Sequence, residues 1–252
     1  MAFELKNVRK DKPAKGKILV YWLAGAGFVL KFDNGTILCI DPYLSDYVER
    51  LVGFRRLSLA PIQPSELQVD LLLYSHEHPD HLDIDSYDEI MKANPKCHII
   101  AAKPCADFLK EKKAPFEQIT VGQTIEKKGV TVRAVQADHG QLSPDALAFV
   151  ISYGGRSIYF TADTSNDPKV LAEAIAMKPE IIIPCINGAF GNLTEQQAAE
   201  IAHQCSAKIA IPCHFWLFME HGGSPAVFVE CLKKESPSTR CILLTPGRGE
   251  EI

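Results

Sequence analysis

The chain has 252 residues, of which 46% are hydrophobic and 23% charged, and a formal net charge of −4. These proportions suit an ordinary soluble globule, long enough for one large α/β domain or two small ones. The acid excess leaves no electrostatic footprint for nucleic acid, no apolar run approaches the roughly 20 residues of a membrane helix, and no signal-peptide pattern is read at the start.

Residues 1–16 carry Lys6, Arg9, Lys10, Lys12 and Lys15 around Asp11 and Pro13, and read as a flexible, solvated lead-in to a single domain over 17–252. Strand patterns follow at 17–23, 27–32 and 36–40, a meander with Gly25 and Gly27 at one turn and the hairpin signal Asn34-Gly35 at the next. Residues 43–66, bounded by Pro42 and interrupted by Gly53, Pro61 and Pro64, show no clear strand character, and long loops of this kind are commonly functional. Further strands are predicted at 69–75, 97–102, 130–136, 147–153, 156–162, 180–185, 207–213 and 240–244. Helical patterns lie between them. They cover 86–93, 105–112, and 169–177 after Pro168; a capping box of Thr194 and Gln197 opens one up to His203, and Ser224-Pro225 opens the last, to 234. Strand and helix alternating in this way describe a layered α/β fold, and two halves, each a sheet with outer helices, suit the pattern.

The eight cysteines are scattered, with no Cys-x-x-Cys pair, and several sit in apolar runs such as Ile37-Leu38-Cys39-Ile40. Reduced thiols acting as small buried hydrophobes, in a cytoplasmic protein, are the expectation. Cys213, beside His214, belongs to this core class, because neighbours on a strand face opposite ways.

The chemistry concentrates at residues 76–81, His-Glu-His-Pro-Asp-His, directly after the apolar run 69–74. Three of the eight histidines of the chain fall in this hexapeptide. Imidazole and carboxylate are the ligands of borderline divalent metals. His76 and His78, two apart in extended chain, project to one side and suit one cation. Asp80 and His81 follow the turn at Pro79 and suit a second. Four later or earlier strands end in the same way: 130–137 at Asp138-His139, 157–162 at Asp163, 208–213 at His214 and 37–40 at Asp41-Pro42. Carboxyl ends of strands form the crevice of layered α/β sheets. Asp163 then bridges the two cations, His139 completes the first site and His214 the second, and a shared hydroxide sits between metals about 3.5–4 Å apart.

Taken singly, each of these has an ordinary reading: His139 as a surface residue, His214 as a core histidine, Asp163 as turn chemistry, Asp41 as a residue behind the ligands. Asp41 is assigned that outer role. His98 reads as structural and His203 as capping its helix or facing solvent, whereas His221, just beyond His214, is a candidate for substrate contact.

Ser75-His76-Glu77-His78-Pro79-Asp80-His81 resembles the His-x-His-x-Asp-His signature of the metallo-β-lactamase superfamily, with Asp41, His139, Asp163 and His214 standing where its other motifs fall. The resemblance covers nearly the whole chain and implies a four-layer αββα sandwich of two mixed β-sheets between outer helices. Trp22-Leu23-Ala24-Gly25-Ala26-Gly27-Phe28, Ile211-Pro212-Cys213-His214-Phe215-Trp216 and Thr245-Pro246-Gly247 are similar to the L-ascorbate-6-phosphate lactonase branch, though this chain is shorter than the type lactonase. That likeness implies a metal-dependent lactonase acting on a phosphorylated sugar acid with two divalent ions, Mn2+ or Zn2+. Asp80 would orient the hydroxide as well as bind metal. Arg50, Arg55 and Arg56 in the long loop are candidates for a substrate phosphate, since arginine binds phosphate through paired donors. A small-molecule substrate is the expected partner, with no nucleic acid or membrane, and self-association is expected from the resemblance alone. A phosphodiesterase with the same metals, a glyoxalase-type thioester hydrolase, a β-lactamase and a non-catalytic metal-stabilised scaffold are the competing readings.

Overall fold

A computed structural model describes residues 3–252. The chain divides into two compact units, where its sequence reads as one domain: residues up to Gln118 with Leu244–Ile252, and Ile119–Leu243. In chain order the first unit contains β1 (Phe3–Glu4), β2 (Ile18–Trp22), β3 (Phe28–Phe32), β4 (Ile37–Ile40), α1 (Tyr47–Val52), β5 (Leu71–Tyr74), α2 (Ile84–Ala93), β6 (His98–Ala102), α3 (Ala106–Glu111) and β7 (Phe116–Ile119). The second contains β8 (Thr124–Lys127), β9 (Val130–Gln136), β10 (Leu147–Tyr153), β11 (Arg156–Phe160), α4 (Pro168–Ala176), β12 (Ile181–Ile183), α5 (Glu195–Gln204), β13 (Ile209–Ala210), α6 (Pro225–Glu235) and β14 (Arg240–Cys241); β15 (Arg248–Glu251) returns to the first.

The sheet of the first unit runs β1-β15-β2-β3-β4-β5-β6-β7. Its meander is antiparallel as far as β4, and β5 and β6 then add in parallel. Leu19, Tyr21, Val29, Cys39, Leu72, Tyr74 and Ile99 pack with Tyr87 and Ile90 of α2 and Leu109 of α3. The intervening positions Val20, Leu30, Leu38, Leu71, Leu73 and Ile100 are fully buried too. Continuous apolar strands such as Leu71-Leu72-Leu73 are what a sheet covered on both faces requires.

The second unit repeats the plan, with order β14-β13-β12-β11-β10-β9-β8. Here β8 to β11 form the antiparallel meander, and β11 to β14 are parallel, joined through α4, α5 and α6. Helix starts follow local chemistry: the side chains of Asp83, Asp167, Thr194 and Ser224 each accept a hydrogen bond from a first-turn amide, worth about 1 kcal/mol apiece. Both units are thus mixed sheets flanked by helices. No helix among the described residues is long and apolar enough to cross a membrane.

Several local features differ from expectation. The lead-in is tied down: β1 pairs with β15, Leu5 and Val8 are buried, and Arg9 grips Asp70 at 2.9 Å. Helix α1, closed by Gly53 at φ 82°, occupies part of the long loop. The strands expected at 180–185 and 207–213 shorten to β12 and β13 because Pro184 and Pro212 bring no N–H to the ladder. Strands β7, β8 and β15 were not anticipated; they are polar, and β15 (Arg-Gly-Glu-Glu) has no apolar alternation at all.

Candidate metal centre

In the first unit, parallel neighbours β4 and β5 deliver Asp41 and Ser75-His76 side by side at their carboxyl ends. Asp41 holds a left-handed backbone at φ 44°, an uncommon conformation that a short carboxylate tolerates better than most side chains. Its carboxylate takes three hydrogen bonds: Ser75 N–H at 2.8 Å, Ser75 Oγ at 2.5 Å and His81 Nδ1 at 2.8 Å. Each of these donors is fully buried.

This network fixes tautomers. His81 donates from Nδ1 to the carboxylate, so its Nε2 keeps the lone pair. Ser75 gives its only hydroxyl proton to Asp41, so at 2.9 Å it accepts from His76 Nδ1, and His76 too presents Nε2 as a base. Such second partners orient metal-binding imidazoles. His76 Nε2 and His78 Nδ1 converge to 3.1 Å. The backbone then turns at Pro79, with His81 and Leu82 N–H both on the His78 carbonyl, which brings the His81 ring within 4.0 Å of the His76 ring and its Nε2 to 3.9 Å from Asp80 Oδ2.

In the second unit β9 and β11 both run antiparallel to β10, so their carboxyl ends share an edge. His139 follows β9, Asp163 follows β11 and His214 follows β13. Asp163 stands between the two imidazoles, Oδ1 at 3.2 Å from His214 Nε2 and Oδ2 at 3.7 Å from His139 Nε2. One carboxylate oxygen thus faces each ring. Asn192 Nδ2 steadies the carboxylate, donating to Oδ2 at 2.8 Å. Asp138 N–H donates to Thr164 Oγ1 at 2.9 Å, and the Ser165 hydroxyl donates to the Asp138 carboxylate, so the loops bearing His139 and Asp163 are laced together. Ala162 and His214 are left-handed, at φ 51° and 61°, a strain of about 1–3 kcal/mol each that a packed site sustains. His221, buried, stacks on His214 with ring centroids 4.6 Å apart.

The remaining candidates are placed as follows. Arg50 pairs with Asp85. Arg55 and Arg56 line a cleft of about 480 Å³ with Ser45, Asp46, Glu49 and Ser58. Arg55 is exposed, 3.9 Å from Glu49. Arg56 is more enclosed: Nη1 donates to the Tyr43 carbonyl at 2.9 Å, Nε donates to the Ser58 carbonyl at 3.2 Å, the guanidinium lies over the Tyr43 ring, and burial lowers its pKa. His98 pairs with Glu117 at 2.9 Å, His203 is exposed on α5, and Cys213 is buried.

Sequence reasoning missed three residues. Ser75 was read only as part of a motif, and Asn192 gave no signal. Asp83 was signalled by its position before a helical pattern. It caps α2 and takes Leu44 N–H at 2.9 Å, Ser45 N–H at 3.0 Å and Ser45 Oγ at 2.6 Å, pinning the cleft wall two residues beyond His81. The donor set, imidazole nitrogens with lone pairs held ready and carboxylates among them, fits a divalent cation.

Residues 36–215 match the family model of the β-lactamase superfamily domain. A UPF0173 metal-dependent hydrolase of Thermoplasma acidophilum is 31% identical over 184 residues, 71% of this chain and 75% of its own length. The chain belongs to the metallo-β-lactamase superfamily, in its UPF0173 metal-dependent hydrolase family. A second UPF0173 protein, from Methanosarcina mazei, is 26% identical over 245 residues, 92% of this chain and 98% of the relative. Among solved structures, the metallo hydrolase Igni18 of Ignicoccus hospitalis superposes with a TM-score of 0.74 at 17% identity, over 94% of this chain and 98% of Igni18. That likeness speaks for the fold, two mixed sheets flanked by helices.

Proposed function

We propose that this metal-dependent hydrolase opens the lactone ring of a phosphorylated sugar acid. The observation that carries the reading is the Asp41-Ser75 network, which aims two imidazole Nε2 atoms as bases, together with the Asp163 carboxylate that offers one oxygen to each of two further imidazoles. In this reading His76, His78 and His139 hold one divalent ion, Asp80, His81 and His214 a second, and Asp163 serves both. Manganese and zinc both suit nitrogen and oxygen donors without a thiolate. Such ions, when bound, would lower the pKa of coordinated water to about 7 and polarise a carbonyl.

The side chains of the protein do the rest. Asp41 and Ser75 hold the imidazole tautomers, His221 contacts the substrate beside His214, and Asp80 orients the attacking water, accepts its proton at Oδ and returns it to the ring oxygen as the acyl C–O bond breaks. The cleft receives the phosphate. Arg56 forms its wall, and its buried Nη2 has no hydrogen-bond partner among the described residues. Arg55, exposed and loosely paired, is able to swing onto the anion.

Protein stripped with a chelator and reloaded with manganese or zinc should hydrolyse a phosphorylated sugar lactone. Arg55→Ala should raise KM for that substrate more than for its unphosphorylated form. Turnover of bis-p-nitrophenyl phosphate but of no lactone would replace this reading with a phosphodiesterase; a cephalosporin and a glutathione thioester complete the panel. Metal-replete protein that turns over none of them would be a binding scaffold.

A further inference from the structure

The second unit displays large apolar side chains beside its ligands. Trp216, two residues past His214, is 56% exposed, and Phe190 is 47% exposed. Both have left-handed backbones, at φ 52° and 53°, which bulky residues rarely adopt. A ring held out in water from a strained backbone adds nothing to a core. The Phe190 ring meets His221 edge-on at 5.9 Å, and His221 stacks on His214. Phe190 thus reaches the His214 ring through His221, and Trp216 stands on the same loop two residues past His214, its ring against Phe215.

Asn187 lies in the same loop as Phe190. It is 2% exposed, yet neither Oδ1 nor Nδ2 has a hydrogen-bond partner among the described residues. A buried carboxamide with both capacities unspent is costly unless a guest supplies a donor and an acceptor. A hydroxyl supplies both. The loop is also rigidly seated: a Cβ on Gly222 would fall 2.7 Å from the Asn187 carbonyl oxygen, and one on Gly223 2.5 Å from that of Ile186. Exposed rings on the two loops that carry this carboxamide and pack on its backbone suit a sugar ring, which is C–H across its face and hydroxyl around its rim.

We propose that residues 186–193 and 214–223 form a subsite for a polyhydroxylated ring, with its C–H face against Phe190 and Trp216 and its hydroxyls on Asn187. The subsite deepens the lactonase reading and rests on it for the identity of the ring. The protein has two tryptophans, and Trp22 is buried with its indole N–H on the Gly25 carbonyl at 2.9 Å. Ligand-dependent fluorescence thus reports Trp216.

The experiment titrates metal-replete protein with D-gluconolactam, a hydrolysis-resistant sugar ring, and with δ-valerolactam, a ring without hydroxyls. Saturable quenching by gluconolactam is expected, retained in Trp22→Phe. Affinity should fall at least about tenfold in Phe190→Ala and in Asn187→Ala, the latter leaving δ-valerolactam unaffected; about 1.4 kcal/mol corresponds to that factor. Phe190 and Trp216 are exposed, so their variants test the stacking face even if Asn187→Ala fails to fold. No quenching, or unchanged affinity in Phe190→Ala and Trp216→Ala by calorimetry, would overturn the subsite. If gluconolactam binds as described but no lactone is hydrolysed, the subsite stands and the lactonase reading fails. Lactone turnover with KM unchanged in both aromatic variants sinks the subsite alone.

Discussion

Replacing Asp41 by Asn exchanges one carboxylate oxygen for an amino group while keeping size and shape. Asparagine tolerates the left-handed backbone at φ 44° as well as aspartate does, so the effect isolates charge and hydrogen bonding. The Ser75 backbone N–H at 2.8 Å cannot become an acceptor, so the amide oxygen must face it. The new amino group then faces Ser75 Oγ and His81 Nδ1, both of which were donors. To accommodate it, His81 moves its proton from Nδ1 to Nε2 and loses the lone pair that a metal needs. Ser75, turned to accept, offers its proton to His76 Nδ1 and drives that ring the same way. A hydrogen bond to a charged group contributes about 1.5–3 kcal/mol, which at about 1.4 kcal/mol per decade weakens metal binding by about 10- to 100-fold, the range seen when such outer partners are removed. Competition against a chromophoric chelator measures the affinity, and imidazole ¹⁵N shifts of metal-free protein report the tautomers. Unchanged affinity with His81 still protonated at Nδ1 would refute the reasoning. Ser75→Ala should disturb His76 and leave His81 as it is.

Four further outcomes are expected. Gly223→Ala places a Cβ 2.5 Å from the Ile186 carbonyl at φ 83°; it should lower the denaturant midpoint by an amount equivalent to at least about 1–3 kcal/mol, and an unshifted midpoint would contradict the close loop packing. Asp83→Ala removes a helix cap and the tether of residues 44–45; a loss above the roughly 1 kcal/mol of a cap alone is expected, with a raised KM for a phosphorylated substrate. Ellman's reagent should reach only Cys97, Cys231 and Cys241 in native protein near neutral pH, because the other five thiols are buried, and fast reaction of all eight without denaturant would overturn that placement. Burial pushes the Cys185 and Cys205 thiols from 9.0 up to about 12. The folded protein keeps these protons while the unfolded chain releases them, so their contribution is complete below about pH 9 and is lost as pH rises toward about 12. The melting temperature should fall across that window, and a flat profile would count against it.

What was legible in the sequence follows from where the signals lie. Leu71-Leu72-Leu73-Tyr74 ends in charge because the strand runs through a buried sheet and stops at its edge, so strand and site were read together. The pairs Thr194/Gln197 and Ser224/Pro225 fixed helix starts to within a residue, since a cap is local chemistry. Strand β15 was illegible for the opposite reason. Its place comes from partners far away in the chain, β1 and β2, and Gly249 is demanded there by the Tyr21 ring, 2.5 Å from where a Cβ would stand. Asn192 was invisible likewise: its contact with Asp163 spans 29 residues and depends on the loop after β12. Ser75 stood in plain view, but its role appears only when Asp41, 34 residues earlier, lies on the adjacent strand.

The two groups of proposed ligands are built on different principles, and this governs how each responds to change. In the first unit His76, His78, Asp80 and His81 fall within six consecutive residues, and one turn over the His78 carbonyl sets their spacing. That geometry is local and survives small shifts of the sheet, provided Asp41 remains beside Ser75. In the second unit His139, Asp163 and His214 come from three strands, and the Asp163 oxygens reach the other two across the register of β9, β10, β11, β12 and β13. A slip of one residue in any of those ladders would turn a ligand to the opposite face. The second unit therefore needs its register held rigidly. The fully buried Phe149, Phe160 and Ile182, and the laced loops around Asp138 and Thr164, supply that rigidity. Enlarging or shrinking those core residues should loosen metal binding without touching a ligand, whereas comparable changes around Leu72 should act mainly on stability.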